Sequence, residues 1–258
     1  MSDLANYDWS RFTTAGVVDR VEYFPTLTST NDFARERAAG APRGRRLLVV
    51  ADEQTAGRGR GGNRWWTGAG SLACSLLFDP ASRPIERRYY PMISLAAAVA
   101  IVEAVASCSR RSDAGLHWPN DVFVAGRKLA GVLVEALADG RHVLGIGCNL
   151  HNRSAQAPPG LSSIVTSLAE ISDAPPDRGD FLLGILRRLD ARLDELARQP
   201  DLLGQRANEL CLQHGARLTL RAGTRQVSGI CAGIAHDGAL VLDTSTGRES
   251  FYSGVLVK

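Results

Sequence analysis

The chain has 258 residues, enough for one large domain or for a domain of about 200 residues with a small appendage. Hydrophobic residues make up 45% of it and charged residues 22%, which excludes a disordered or fibrous protein. Thirty basic against 27 acidic side chains leave a net charge of +3, too little for a general grip on nucleic acid, so any anion binding must come from local clustering.

Along the chain, Val21-Glu22-Tyr23-Phe24 alternates weakly and reads as a short strand. Thr28-Ser29-Thr30 offers an N-cap for a helix over residues 31–39, which Gly40 and Pro42 end. The aliphatic run 46–51 is a buried strand that leads towards a loop rich in glycine and arginine, and 71–78 returns as another. Pro91 suits the first turn of a helix, apolar on nearly every side and therefore buried, that ends near Cys108. Strands follow over 121–124, 128–137 and 142–150, with Asp139-Gly140 as a hairpin turn between the last two. A surface connection with a short helix at 164–169 leads to a long amphipathic helix over 178–199. From Gln213 the pattern turns to short alternating strands, a small five-stranded barrel or half-barrel, so two domains are expected, 1–212 and 213–258.

Five cysteines, at 74, 108, 148, 211 and 231, form no CxxC pair and read as reduced core thiols. The five histidines are scattered, so no protein-built metal site is expected. The first ten residues lack the basic start and apolar run of a signal peptide. No stretch reads as the roughly 18 apolar residues of a membrane span, which points to a cytoplasmic protein with no membrane partner.

Two segments carry chemistry. Gly57-Arg58-Gly59-Arg60-Gly61-Gly62-Asn63-Arg64-Trp65 combines close backbone approach with planar, permanently charged forks suited to phosphate and carboxylate. Glycine-rich, it is expected to be mobile until an anion orders it. Trp118-Pro119-Asn120-Asp121 sets amide and carboxylate groups at the mouth of a strand, and Lys128 opens a strand of small apolar residues. Its ammonium is expected to lie over a cavity walled in part by the backbone at Gly131.

Together with Ser29-Thr30-Asn31, Gln54-Thr55-Ala56, Arg127-Lys128-Leu129-Ala130-Gly131 with Leu133 and Glu135, and Gly145-Ile146-Gly147 with Asn149, these blocks resemble the biotin–protein ligases that lack an N-terminal DNA-binding domain. The resemblance implies an α+β catalytic domain, a mixed β-sheet flanked by helices akin to class II aminoacyl-tRNA synthetases, followed by a small SH3-like β-barrel. It implies ATP, biotin and Mg2+ as reactants and cofactor. Lys128 would bridge the biotin carboxylate and the α-phosphate, Arg58 and Arg60 would close from the loop, and Asp121 would orient Lys128 or a loop arginine, or help hold the metal. Ser29, Thr30, Asn31 and Gln54 would surround the ureido ring, with Gly131 and Leu133 along the wall. Gly57, Gly59, Gly62, Trp65, Asn120 and Asn149 complete the implied binding set.

The implied partner is the biotin carboxyl carrier domain of a carboxylase, with the ligase a monomer or weak homodimer that binds no specific DNA. Lipoate–protein ligase or octanoyl transferase, and a biotin-responsive repressor, are the rival readings. Gly61, Asn63 and His117 depart from the family pattern, and fewer charges there imply a looser loop that holds its adenylate less well.

Overall fold

The computed structural model describes residues 3–109 and 113–257, so Met1, Ser2 and Lys258 at the ends of the two expected domains lie outside the described residues. A short helix α1 (Ser10–Thr14) precedes strand β1 (Arg20–Leu27), helix α2 (Thr30–Ala38), and strands β2 (Leu47–Gln54) and β3 (Leu72–Phe78). Helix α3 (Ile93–Cys108) leads to β4 (Ala114–His117), β5 (Asp121–Val124), β6 (Arg127–Ala136) and β7 (His142–Cys148). Helices α4 (Leu168–Ile171), α5 (Arg178–Arg198) and α6 (Pro200–Glu209) follow. The chain ends in β8 (Arg217–Ala222), β9 (Arg225–Ile234), β10 (Leu240–Thr244), β11 (Gly247–Phe251) and β12 (Val255–Val257).

The first seven strands form one sheet in the order β1-β2-β3-β7-β6-β5-β4, parallel between β1 and β2 and antiparallel elsewhere. The mixed, helix-flanked sheet agrees with the class II synthetase-like expectation. Central strands read as unbroken aliphatic runs because both faces are covered. Leu48 and Val50 of β2 enter the main core beneath α3 and α5, while Leu47 and Val49 pack with Ala34 and Ala38 of α2 in a smaller core on the opposite face. The last five strands form a separate antiparallel sheet in the order β11-β10-β9-β8-β12.

Several expectations are corrected. β1 runs through Pro25 and is longer than 21–24. Pro91 lies in a 3-10 turn, Arg87–Met92, and the α-helix starts only at Ile93. The helix expected at 164–169 is displaced to Leu168–Ile171, because the Lys128 N–H donates to the Ile164 carbonyl at 2.8 Å and the Thr166 N–H donates to the Lys128 carbonyl at 2.9 Å. This pairing to β6 overrides local propensity. α1, β4 and α6 were not anticipated. The helical run Arg87–Cys108 is long and apolar enough to cross a membrane, contrary to the sequence reading, yet most of it lies buried in the core.

Ile101 of α3 is fully buried in that core. Ile101→Ala is expected to cost about 2–5 kcal/mol of unfolding free energy, checked by urea denaturation followed by circular dichroism.

Candidate active site

Strand register builds the floor of the site. Ala73 of β3 pairs with Gly147 of β7, Gly147 with Gly131 of β6, Gly131 with Asp121 of β5, and Asp121 with His117 of β4. Residues paired in this way share one face of the sheet, so three strands present alanine or glycine in a row and the next two present a carboxylate and an imidazole. Above the row lies a cavity of about 230 Å³.

The two glycines are required by what rests on them. A Cβ on Gly147 would sit 2.3 Å from the Trp65 indole, and one on Gly131 would sit 3.2 Å from the same ring, 3.1 Å from Asp121 Oδ1 and 3.3 Å from Lys128 Cε. Lys128 Nζ donates to Asp121 Oδ2 at 2.6 Å and stands 5.6 Å from the Trp65 ring centroid. The expectation that this ammonium overlies a cavity bounded by Gly131 therefore matches the geometry. Asp121 Oδ1 and Trp65 Nε1 are buried without a partner, two polar atoms at the pocket that a ligand can satisfy.

The glycine–arginine loop is folded as a small hairpin. Its rungs run from the Trp65 N–H to the Gly57 carbonyl at 2.9 Å and from the Gly59 N–H to the Asn63 carbonyl at 2.7 Å. Gly61 and Gly62 make the tip with φ of 63° and 81°, a region that side chains disfavour. Gly57 and Gly62 thus serve the hairpin's shape and do not line the cavity, whereas Arg58, Gly59, Arg60 and Trp65 do.

Two carboxylates hold the hairpin down. Arg58 donates to Glu135 at 2.7 and 3.1 Å and to Asp32 Oδ1 at 2.8 Å. Burial alone would pull its guanidinium down, but the Glu135 hydrogen bonds and the charge of Asp32 outweigh it and hold the group above its ordinary value. Arg60 is deeper: burial draws it below its ordinary value, with Asp121 partly opposing, and its Nη1 donates to Asn120 Oδ1 at 3.2 Å. Both arginines stay charged at neutral pH. Asn120 Nδ2 in turn donates to the Val132 carbonyl at 2.6 Å.

At the other end of the cavity the first turn of α2 and the end of β2 supply a polar rim. Ser29 caps α2, accepting the Asp32 N–H at 3.3 Å. Gln54 Oε1 accepts from the Thr30 N–H at 2.8 Å and from Thr30 Oγ1 at 3.0 Å. Asn31 Nδ2 donates to Glu135 Oε2 at 2.7 Å, and Asn31 Oδ1 accepts from Ser75 Oγ at 2.6 Å. Leu133 lines the wall between the two ends.

Asn149, like Gly57 and Gly62, stands apart from the remaining members of the implied set. It is buried outside the cavity lining, its N–H bonded to the Leu129 carbonyl at 2.9 Å and its Oδ1 accepting from Asn152 at 3.0 Å. The sequence reading missed Asp32 and Ser75 as supporting residues, and it gave Glu135, which it quoted among the matching residues, no role. It also missed Gly254, Val255 and Leu256, which bring the far end of the chain to the cavity. Among the described residues no cluster of three or more His, Cys, Asp or Glu could hold a metal ion.

Residues 23–151 match the biotin/lipoate A/B protein ligase family, and residues 214–257 match the biotin protein ligase C-terminal domain. A biotin–[acetyl-CoA-carboxylase] ligase of Mycobacterium tuberculosis is 35% identical over 221 residues, covering 83% of this chain and 80% of that protein. The chain belongs to this ligase family. Another relative in it, the bifunctional ligase/repressor BirA of Bacillus spizizenii, is 33% identical over 239 residues, covering 90% of this chain and 71% of that one. The biotin protein ligase of Aquifex aeolicus, solved in complex with biotin and ATP, superposes with a TM-score of 0.81 at 27% identity over 92% of this chain and 97% of that one.

Gly147→Ala is expected to drive the Trp65 indole from its seat. Near-ultraviolet circular dichroism, with Trp65→Phe as the reference for the lost signal, checks this; an unchanged spectrum counts against the packing described.

Proposed function

We propose that the protein activates biotin with ATP to biotinyl-5'-AMP and pyrophosphate, then transfers the biotinyl group to a lysine of a biotin carboxyl carrier domain. The ligase names of its relatives and the biotin and ATP bound by the Aquifex aeolicus enzyme support the reaction class. The observation that carries the residue assignment is Lys128, paired with Asp121 at 2.6 Å beside the Trp65 ring and in one cavity with the half-buried Arg60 of the hairpin.

In the first step an oxygen of the biotin carboxylate attacks the α-phosphorus, the bond to the bridging oxygen breaks, and pyrophosphate leaves with its electron pair. Two anions must meet, so cations are needed where charge accumulates. Lys128 bridges carboxylate and α-phosphate, and Arg60 adds charge from the hairpin. Arg58, committed to Glu135 and Asp32, acts mainly by holding the hairpin closed. Asp121, with Oδ2 engaged by Lys128, orients that ammonium. Mg2+ would enter with ATP, since no cluster of His, Cys, Asp or Glu among the described residues is built to hold it, and would supply further positive charge to the phosphates.

The polar rim of Ser29, Thr30, Asn31 and Gln54 suits the ureido ring, and the glycine floor and Leu133 suit the apolar remainder of biotin. In the second step the acceptor amine attacks the acyl carbon, AMP leaves, and the nitrogen gives up a proton. The hairpin's role between the steps is to keep water from the mixed anhydride. The division at residue 212, a cytoplasmic location, a monomer or weak dimer, and the lack of specific DNA binding complete the reading; the small net charge of +3 supports the last of these.

Biotin-dependent ATP–pyrophosphate exchange tests the proposal, with lipoate as competitor. Lys128→Ala is expected to lower the exchange rate about 10²- to 10³-fold, the effect usual for removing one group that stabilises developing charge. Near-parental exchange in this variant overturns the assignment.

A further inference from the structure

The Trp118-Pro119-Asn120-Asp121 turn touches both ends of the catalytic arrangement, through Asn120 to Arg60 and through Asp121 to Lys128. What holds the turn itself comes from far along the chain. Residues 210–212 run beside β4: the Leu116 N–H donates to the Leu210 carbonyl at 2.7 Å and the Leu212 N–H to the Leu116 carbonyl at 3.0 Å. One residue further on, Gln213 is 4% exposed, and its Oε1 accepts the Trp118 N–H at 2.7 Å. The Trp118 indole, 2% exposed, donates from Nε1 to the Gly238 carbonyl at 3.1 Å, in the turn between β9 and β10. Gly238, with φ of 84°, has no room for a side chain: a Cβ there would sit 2.8 Å from Met92 and 2.9 Å from Leu95.

Every donor of Trp118 is therefore answered by the segment after residue 212, and none by the seven-stranded sheet that carries the rest of the floor. A buried N–H without an acceptor is costly, so the turn keeps this position only while those two oxygens are present.

We propose that Gln213 is a positioning residue for adenylation: together with the Gly238 carbonyl it fixes the Trp118 turn and, through Asn120, the half-buried Arg60. The segment after residue 212, which also brings Val255 and Leu256 to the cavity, is on this view what keeps the nucleotide end of the site assembled. The proposal rests on the ligase reading above. It separates the two ends of the cavity, because Ser29, Thr30, Asn31 and Gln54 take their contacts from α2, β2, β3 and β6 and not from this turn.

The test compares the parent with Gln213→Leu, which removes the acceptor at similar size, and Gln213→Glu, which keeps an oxygen in its place. Biotin affinity is measured by calorimetry, and KM for ATP and kcat by biotin-dependent pyrophosphate exchange. Expected for Gln213→Leu is a fall in kcat/KM for ATP of about tenfold, the order set by stranding one buried donor, with biotin affinity within about twofold of the parent. Gln213→Glu is expected to recover most of the lost kcat/KM. If Gln213→Leu does not fold, Gln213→Asn, which withdraws the same oxygen by one methylene, takes its place with the same expectation. Unchanged kcat/KM for ATP, an equal loss of biotin affinity, or failure of Gln213→Glu to recover activity overturns the proposal. An inactive parent ends the ligase reading as well, whereas an active parent with any of those three outcomes ends only this one.

Discussion

The site depends on one constraint, the placing of an ammonium and a carboxylate side by side on a sheet floor whose adjoining positions, Gly131 and Gly147, carry no side chain. Lys128 and Asp121 are each about three-quarters buried, at 28% and 22% side-chain exposure. At that depth the two groups are set directly against each other, Nζ 2.6 Å from Oδ2. Gly131 and Gly147 give the pair and the Trp65 ring somewhere to lie, and the antiparallel register of β5, β6 and β7 brings those glycines into one row. Change the register by one residue and the floor would turn to the core face.

Around that pair the protein solves an electrostatic problem by distributing roles. Glu135 and Asp32 neutralise Arg58 at the rim, where it clasps the hairpin, while Arg60 is inserted deeper with an amide oxygen as its side-chain partner. The first arginine is spent on architecture and the second keeps positive potential directed inward. Glu135 also accepts from Asn31 and Arg35, so the clasp and the polar rim of the cavity are joined through a single side chain. Two cysteines in this region stay chemically quiet, since burial pushes the Cys74 thiol up to about 12 and Cys148 higher still.

Much of this arrangement was legible in the sequence where the signal was local. The aliphatic runs of β2 and β3, the all-apolar α3, the Asp139-Gly140 turn and the α5 stripe follow from periodicity and turn chemistry. Lys128 over Gly131 was legible because a lysine opening a run of small residues has an evident neighbour. The rest depends on contacts between distant residues. β4 is only four residues long and takes its identity from pairing with β5 and from the 210–212 segment. The displacement of α4 comes from pairing of 164–166 with Lys128, and the role of Glu135 from Arg58, 77 positions away. The clasp on the glycine-rich hairpin was not legible, because composition reports the entropy of a loop and not the distant carboxylates, Asp32 and Glu135, that Arg58 reaches.

Gly145 sits against α2 so closely that a Cβ there would lie 2.2 Å from Asn31 Oδ1. The wall at that end is thus one side-chain amide laid against bare main chain, kept in that rotamer by its bonds to Glu135 and Ser75. A shorter residue at position 31 would lengthen the space without parting the helix from the strand.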